Sequence, residues 1–173
     1  TVVGLALPDG GSSFMMLASG QRLSELGCPS HITAGGGFAT LARTWLLERY
    51  SWLDSVVRFA GETTLSLLVR GVADGRVAGV PGLTTRSGDG RPAPVFDEKW
   101  CGLVPEHLEL PEVLGYRAAH IMATRGCRGS CDYCGPAALQ RSEVDEGIRA
   151  GASRSELRQK GVGAIRRRQT DKL

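Results

Sequence analysis

Arg125-Gly126-Cys127-Arg128-Gly129-Ser130-Cys131-Asp132-Tyr133-Cys134-Gly135-Pro136 sets three cysteines in a C-x3-C-x2-C spacing, with an aromatic directly before the third. Thiolates this close in sequence meet on one soft metal centre only if the backbone coils tightly, a path that Gly126, Gly129 and Gly135 open. Three thiolates without a nearby fourth ligand suit an iron–sulfur cluster with one iron left open. A structural zinc site takes four protein ligands, so a zinc knuckle here would borrow a fourth, such as Cys101 or His120.

With these residues in view, Cys127, Cys131, Tyr133 and Cys134 resemble the cysteine motif of radical S-adenosylmethionine enzymes. The preceding Ala118-Ala119-His120-Ile121-Met122-Ala123-Thr124 resembles that family's first barrel strand, which delivers the loop at its C-terminal end. The resemblance implies a [4Fe-4S] cluster on Cys127, Cys131 and Cys134. S-adenosylmethionine would chelate the unique iron through its amino and carboxylate groups. Tyr133 and Gly135 would contact it, Tyr133 along the adenine.

Outward from the loop, the chain of 173 residues is 42% hydrophobic and 23% charged, which describes a folded globular protein. No apolar run approaches the ~20 residues of a membrane span, and Thr1-Val2-Val3-Gly4-Leu5-Ala6-Leu7 is a strand-like start rather than a signal peptide. Five cysteines, three of them within eight residues, fit a metal site in a reducing cytoplasm better than a disulfide framework. Cys28 and Cys101 are expected to be ordinary thiols. A net charge of +3 gives no strong argument for nucleic acid.

The first eighty residues alternate strand and helix. Val2 to Leu7 is a short apolar run, as in a strand buried on both faces, and a helix is expected from about Phe14 to Leu26, using Met15, Leu17, Leu23 and Leu26 and stopping at Gly27. A second strand, His31 to Ala34, ends in Gly35-Gly36-Gly37. One helix is expected over Ala39 to Tyr50, then a third strand over Asp54 to Phe59. Leu65, Leu68, Val69 and Val72 fall on one face of a further helix. Three such alternations argue a parallel α/β sheet. Leu83 to Arg86 should form a hairpin turning at Ser87 to Gly90. A polar helical stretch is expected from Ser142 to Arg158, followed by a basic tail, Ile165 to Leu173. Trp45, Trp52 and Trp100 are expected as core or interface anchors.

Glycines directly after a parallel strand let backbone come flush with a flat ligand or a phosphate, or simply make a tight turn. Gly35-Gly36-Gly37-Phe38-Ala39-Thr40, Asp54 to Glu62 and the Pro81-Gly82-Leu83 hairpin resemble the later half of the cobalamin-binding domain fused in front of many radical S-adenosylmethionine enzymes. The resemblance covers about residues 1–95 and implies that Gly35, Gly36 and Gly37 lie near the nucleotide tail of a cobalamin. The family's Asp-x-His-x-x-Gly loop has no counterpart and would lie upstream of Thr1; His31, His107 and His120 do not sit in that pattern. Ala6-Leu7-Pro8 stands where the family has Ser-x-Leu.

The expected architecture is therefore α/β. Residues 1–80 form the later half of a Rossmann-like (flavodoxin-like) domain, 81–115 a hairpin and linker, and 116–173 the first strand, cluster loop and helix of a partial TIM-like barrel, the whole being a central fragment of a longer enzyme. The resemblance implies reductive cleavage of S-adenosylmethionine to a 5′-deoxyadenosyl radical, which abstracts hydrogen from an unactivated carbon. Radical methylation is the leading class if methylcobalamin is present, with rearrangement, ring formation and other cobalamin-assisted outcomes open beside it. A flavodoxin or ferredoxin would supply the electron, and the substrate is not specified. Arg125 and Arg128 either stabilise a reduced cluster or face solvent. Arg166, Arg167 and Arg168 either touch RNA or form a solvated or frayed end. Two rivals stand beside this reading: a cobalamin-independent RNA-modifying enzyme resembling the methylthiotransferases, which would need a second cysteine set that Cys28 alone does not supply, and a non-enzymatic zinc module.

Overall fold

In a computed structural model, residues 1–93, 112–113, 116–117, 124–127, 129, 131–159, 162 and 166–167 are described. Apolar runs separated by glycine make three parallel strands, β1 (Val2–Ala6), β2 (His31–Gly35) and β3 (Ser55–Val57). A hairpin, β4 (Leu83–Thr85) and β5 (Gly88–Asp89), adds antiparallel to β3. The five strands lie in chain order in one mixed, mostly parallel open sheet. This is the α/β arrangement that the strand–helix alternation predicts, and it is consistent with a Rossmann-like part.

Between the strands run α1 (Ser13–Glu25), α2 (Gly37–Leu41), α3 (Arg43–Arg49) and α4 (Glu62–Ala73). Neighbouring strand residues point to opposite faces, so Val56 and Val57 serve two separate cores. Val56 joins Leu5, Leu7, Leu17, Ile32, Ala34, Leu46 and Leu53. Val57 joins Leu68, Val80 and Leu83 under α4.

Several expectations are corrected by packing. Among the described residues β1 is an edge strand with Gly4 and Ala6 exposed, not a strand buried on both faces. On α1 the buried positions are Ser13, Leu17 and Gly20, where a Cβ would run into the Trp52 ring; Met15 and Leu26 face solvent. The helix does stop at Gly27 (φ 71°): Gly27 N–H bonds Ser24 O (2.9 Å) and Cys28 N–H bonds Leu23 O (3.0 Å), a Schellman cap. On α4, Thr64, Leu68 and Gly71 are buried while Leu65 and Val69 are exposed.

The single helix expected over 39–50 is two, broken at Ala42, where Arg43 Nη1 donates to the Thr40 carbonyl (2.9 Å). The hairpin turns earlier than expected, at Arg86 and Ser87, and Asp89 sits in the strand, where Arg43 holds it. Of the tryptophans, Trp52 packs on the core and donates to Gln21 (2.7 Å), whereas Trp45 is half exposed; Trp100 lies outside the described residues.

The helical stretch after the cysteine loop is also two helices, α5 (Gly135–Arg149) and α6 (Arg154–Gln159). Gly151 (φ 92°) makes a second Schellman cap, through Gly151 N–H to Ile148 O and Ala152 N–H to Gly147 O. Ser153 and Glu156 exchange side-chain-to-backbone bonds in a capping box that starts α6. Two further two-stranded ladders complete the described residues. β6 (Glu112–Val113) pairs β7 (Tyr116–Arg117), and β8 (Thr124–Arg125) pairs β9 (Arg166–Arg167), both antiparallel. Arg166 and Arg167 are thus held by backbone pairing with the residues just before the cysteine loop, rather than forming a helix face or a frayed end. Most of the expected barrel strand 118–124 lies outside the described residues, as do Cys101, His107, His120 and Arg128.

Candidate functional site

The C-terminal ends of β1, β2 and β3 open onto a cavity of about 700 Å³, a size usual for small-molecule and cofactor sites. One wall belongs to the sheet: Pro8, Asp9 and Gly10 after β1, Gly36, Gly37, Phe38 and Leu41 after β2, and Phe59 and Ala60 after β3. The other wall belongs to the cysteine loop and α5: Gly126, Gly135, Pro136, Leu139, Gln140 and Glu143. A ligand beyond the strand ends of an open α/β sheet is the general rule. Here the loop that carries the cysteines closes that position from the far side.

Gly36 and Gly37 line the cavity, but packing already explains why they are glycine. At Gly36 (φ 112°) a Cβ would lie 2.6 Å from the Leu7 carbonyl oxygen, and at Gly37 one would lie 3.1 Å from that of Pro8. Gly35 is the last residue of β2, is not part of the wall, and has room for a Cβ 3.7 Å from Val57. Two N–H groups at the start of α2 are also committed: Phe38 N–H bonds the Leu7 and Pro8 carbonyls (3.2 and 3.3 Å) and Ala39 N–H bonds Leu7 O (3.4 Å). At Phe38 and Ala39 the turn is therefore a tight backbone crossing in which these two amides are used by the fold. Phe59 lines the cavity with φ at 56°, a strained value for a bulky residue, and its N–H is tied to Thr40 Oγ1 (3.0 Å).

Asp9 stands at the mouth of the first strand. Its Oδ1 accepts from Ser12 N–H (2.8 Å) and Ser12 Oγ (3.0 Å), and these bonds hold its carboxyl below the usual range. It is a carboxylate at neutral pH.

In the cysteine loop, Cys127 and Cys131 are exposed and Cys134 is half-buried. A Cβ at Gly129 would lie 3.4 Å from Cys131 Sγ and 3.5 Å from Cys127 Sγ, so glycine keeps open the space that two of the sulfurs share. Gly129 N–H also donates to Cys127 Sγ (3.2 Å). Cys134 is the N-cap of α5, with Gly135 and Pro136 opening the helix. No three side chains of His, Cys, Asp or Glu converge as a ready metal site among the described residues; gathering Cys134 with the other two requires the loop to tighten. By donor chemistry the loop still fits a thiolate-held cluster. All three donors are thiols, two flank one glycine, one N–H already bonds sulfur, and the positive end of a 15-residue helix lies at the third. Tyr133 is 94% exposed beside this loop, and Gly135, the other predicted contact, lines the cavity.

Two features were not anticipated from sequence. Arg58, at the end of β3, is 1% exposed and all five of its N–H donors are used. Nε and Nη2 form a bidentate pair with Glu146 on α5 (both 3.0 Å); Nη1 reaches Leu83 O and Thr84 Oγ1, and Nη2 reaches Arg91 O. Glu146 also accepts from Ala93 N–H (2.7 Å). Arg43 pairs bidentately with Asp89 (both 2.9 Å), and with help from Thr84 and the charge of Arg58 this lowers the Asp89 carboxyl to about 2. An arginine inside an otherwise apolar strand signals a buried partner, but nothing local to it names a glutamate 88 residues away. The second unanticipated feature is Gln140, whose side-chain amide pairs with the backbone of Cys127.

Neither a protein-family model nor a curated protein matches this chain.

Proposed function

We propose that the protein is a radical S-adenosylmethionine enzyme, cobalamin-linked, with its cluster on Cys127, Cys131 and Cys134. The observation that carries the reading is the cysteine loop standing as one wall of the cavity at the strand ends. A cluster built there would face a large ligand against the sheet. When bound, the cluster and S-adenosylmethionine supply a carbon-centred radical, and a cobalamin supplies a methyl group.

The chain's own residues have defined tasks in this reading. Cys127, Cys131 and Cys134 donate thiolates, and Gly129 keeps a side chain out of the space between the first two. Gly129 N–H and the N-terminus of α5 favour the negative charge of a thiolate-held centre. Gly135, in the cavity wall, and Tyr133, exposed beside it, would contact S-adenosylmethionine. Phe38, Leu41, Phe59 and Leu139 exclude water and would present apolar surface to a cobalamin, whose nucleotide tail would lie near Gly36 and Gly37. In the wider proposal, residues 116–173 begin a barrel, the protein works in the cytoplasm, and a flavodoxin or ferredoxin delivers electrons. No helix among the described residues is long and apolar enough to cross a membrane.

The test is anaerobic reconstitution with iron and sulfide, zinc competing, followed by electron paramagnetic resonance with and without S-adenosylmethionine. The expected result is about four irons per chain, lost when the three cysteines become alanine, and a signal that shifts on adding S-adenosylmethionine. Preferential zinc uptake with no such signal would overturn it.

A further inference from the structure

The cysteine loop is joined to α5 by more than the chain. Turned so that both of its groups are satisfied, the Gln140 amide accepts from Cys127 N–H at 2.9 Å and donates to Cys127 O at 3.2 Å. One side chain thus takes both backbone groups of the first cysteine, which fixes the plane of that residue as a strand neighbour would. Gln140 does so from a helix that is itself anchored: six positions on, Glu146 is seated on buried Arg58. Gln140 and Gly126 also line the cavity together, so the same contact sets where the loop wall stands.

We propose that Gln140 is a positioning residue for Cys127. It locks the backbone of the first cysteine of the loop to α5, and through Glu146 and Arg58 to the sheet, so that this end of the loop wall is held in place before any ligand binds. The contact itself is independent of the cluster, but its purpose rests on the reading above, that Cys127 is a cluster thiolate.

The experiment compares Gln140→Met, which keeps length and helix preference but loses both bonds, with Gln140→Glu, which keeps the acceptor for Cys127 N–H. Hydrogen exchange at Cys127 is followed against Ala138, whose N–H bonds Cys134 O inside α5 (3.0 Å). Loss of the bond should speed Cys127 exchange roughly five- to tenfold in Gln140→Met, leave it within about twofold in Gln140→Glu, and leave Ala138 unchanged in both. Equal Cys127 exchange in wild type and Gln140→Met, or equal acceleration in the two variants, would overturn the clamp.

A second arm loads wild type and Gln140→Met with iron and sulfide and times iron release to a chelator. Release at least about threefold faster from Gln140→Met supports the positioning role, and equal release overturns it. A wild-type chain that holds no iron while its Cys127 N–H is protected by Gln140 removes the cluster reading and leaves the clamp standing. A wild-type chain that holds iron with Cys127 unprotected removes the clamp alone.

Discussion

The glycine turn after β2 and the cysteine loop, the two motifs of this sequence, border one cavity from opposite walls, through Gly36 and Gly37 on one side and Gly126 and Gly135 on the other, and packing accounts for only the first pair. Gly36 needs a positive φ and a bare Cα because the Leu7 carbonyl crosses it, and Gly37 is crowded by Pro8. Their identity follows from backbone packing whatever the cavity holds. Nothing comparable explains Cys127 and Cys131, which are exposed and fill no core. A residue that packing explains says little about function, whereas residues that packing leaves unexplained carry the chemical argument.

That contrast can be broken by measurement, beginning with the contact that joins the two sides. Glu146→Ala strands a buried guanidinium, and urea unfolding should show a loss of about 3–5 kcal/mol. Replacing both partners, Arg58→Met with Glu146→Leu, should recover most of it. A small loss in the single variant would mean that α5 is not fastened to the sheet through this pair. Next in size, Gly36→Ala should cost about 1–3 kcal/mol through strain and crowding, while Gly35→Ala, with ordinary room, should cost less than about 1 kcal/mol. Equal losses at the two positions would remove the packing explanation.

Asp89 sharpens the sheet side further. Its carboxyl is lowered in the fold from 3.8 to about 2, so its contribution is full above the unfolded value and disappears as pH falls through the folded one. With the side chain 38% exposed, solvent screening reduces this to about 1 kcal/mol. Asp89→Asn should therefore flatten the acid limb of stability between pH 3.8 and about 2, as read from thermal midpoints. The smallest expected effect is the most telling. Changing Cys127, Cys131 and Cys134 together to serine should shift stability by no more than about 0.5 kcal/mol. A large loss in the metal-free protein would make the cysteines structural after all.

The parallel half of the fold was legible because its signals are local. Apolar runs ended by glycine gave β1, β2 and β3, and Gly27 stopped α1 where expected. What was not legible depends on long side chains reaching across the fold. Arg43 bonds the Thr40 carbonyl where α2 gives way to α3 and pairs with Asp89 in β5, and neither contact leaves a mark in the periodicity of residues 39–50 or 83–90. Trp52, by claiming the space beside Gly20, decides which face of α1 turns inward. At the site, the cysteine spacing and the glycines could be seen in sequence, but Gln140 and Glu146 look like ordinary polar residues on a helix. Only their partners give them meaning.

Arg58 also has a consequence for how the chain is made. A ribosome adds roughly 5–20 residues per second, so the 88 residues separating Arg58 from Glu146 take from about four to about eighteen seconds to synthesise. During that interval the sheet can pair its strands, but the guanidinium at the end of its middle strand has only Asp89 at 3.4 Å and not the bidentate carboxylate from α5, and burial without that partner is costly. The nascent sheet must hold that position open to water until the helix behind the cysteine loop emerges. Completion of the N-terminal half is thereby timed to the arrival of the segment that carries the thiols.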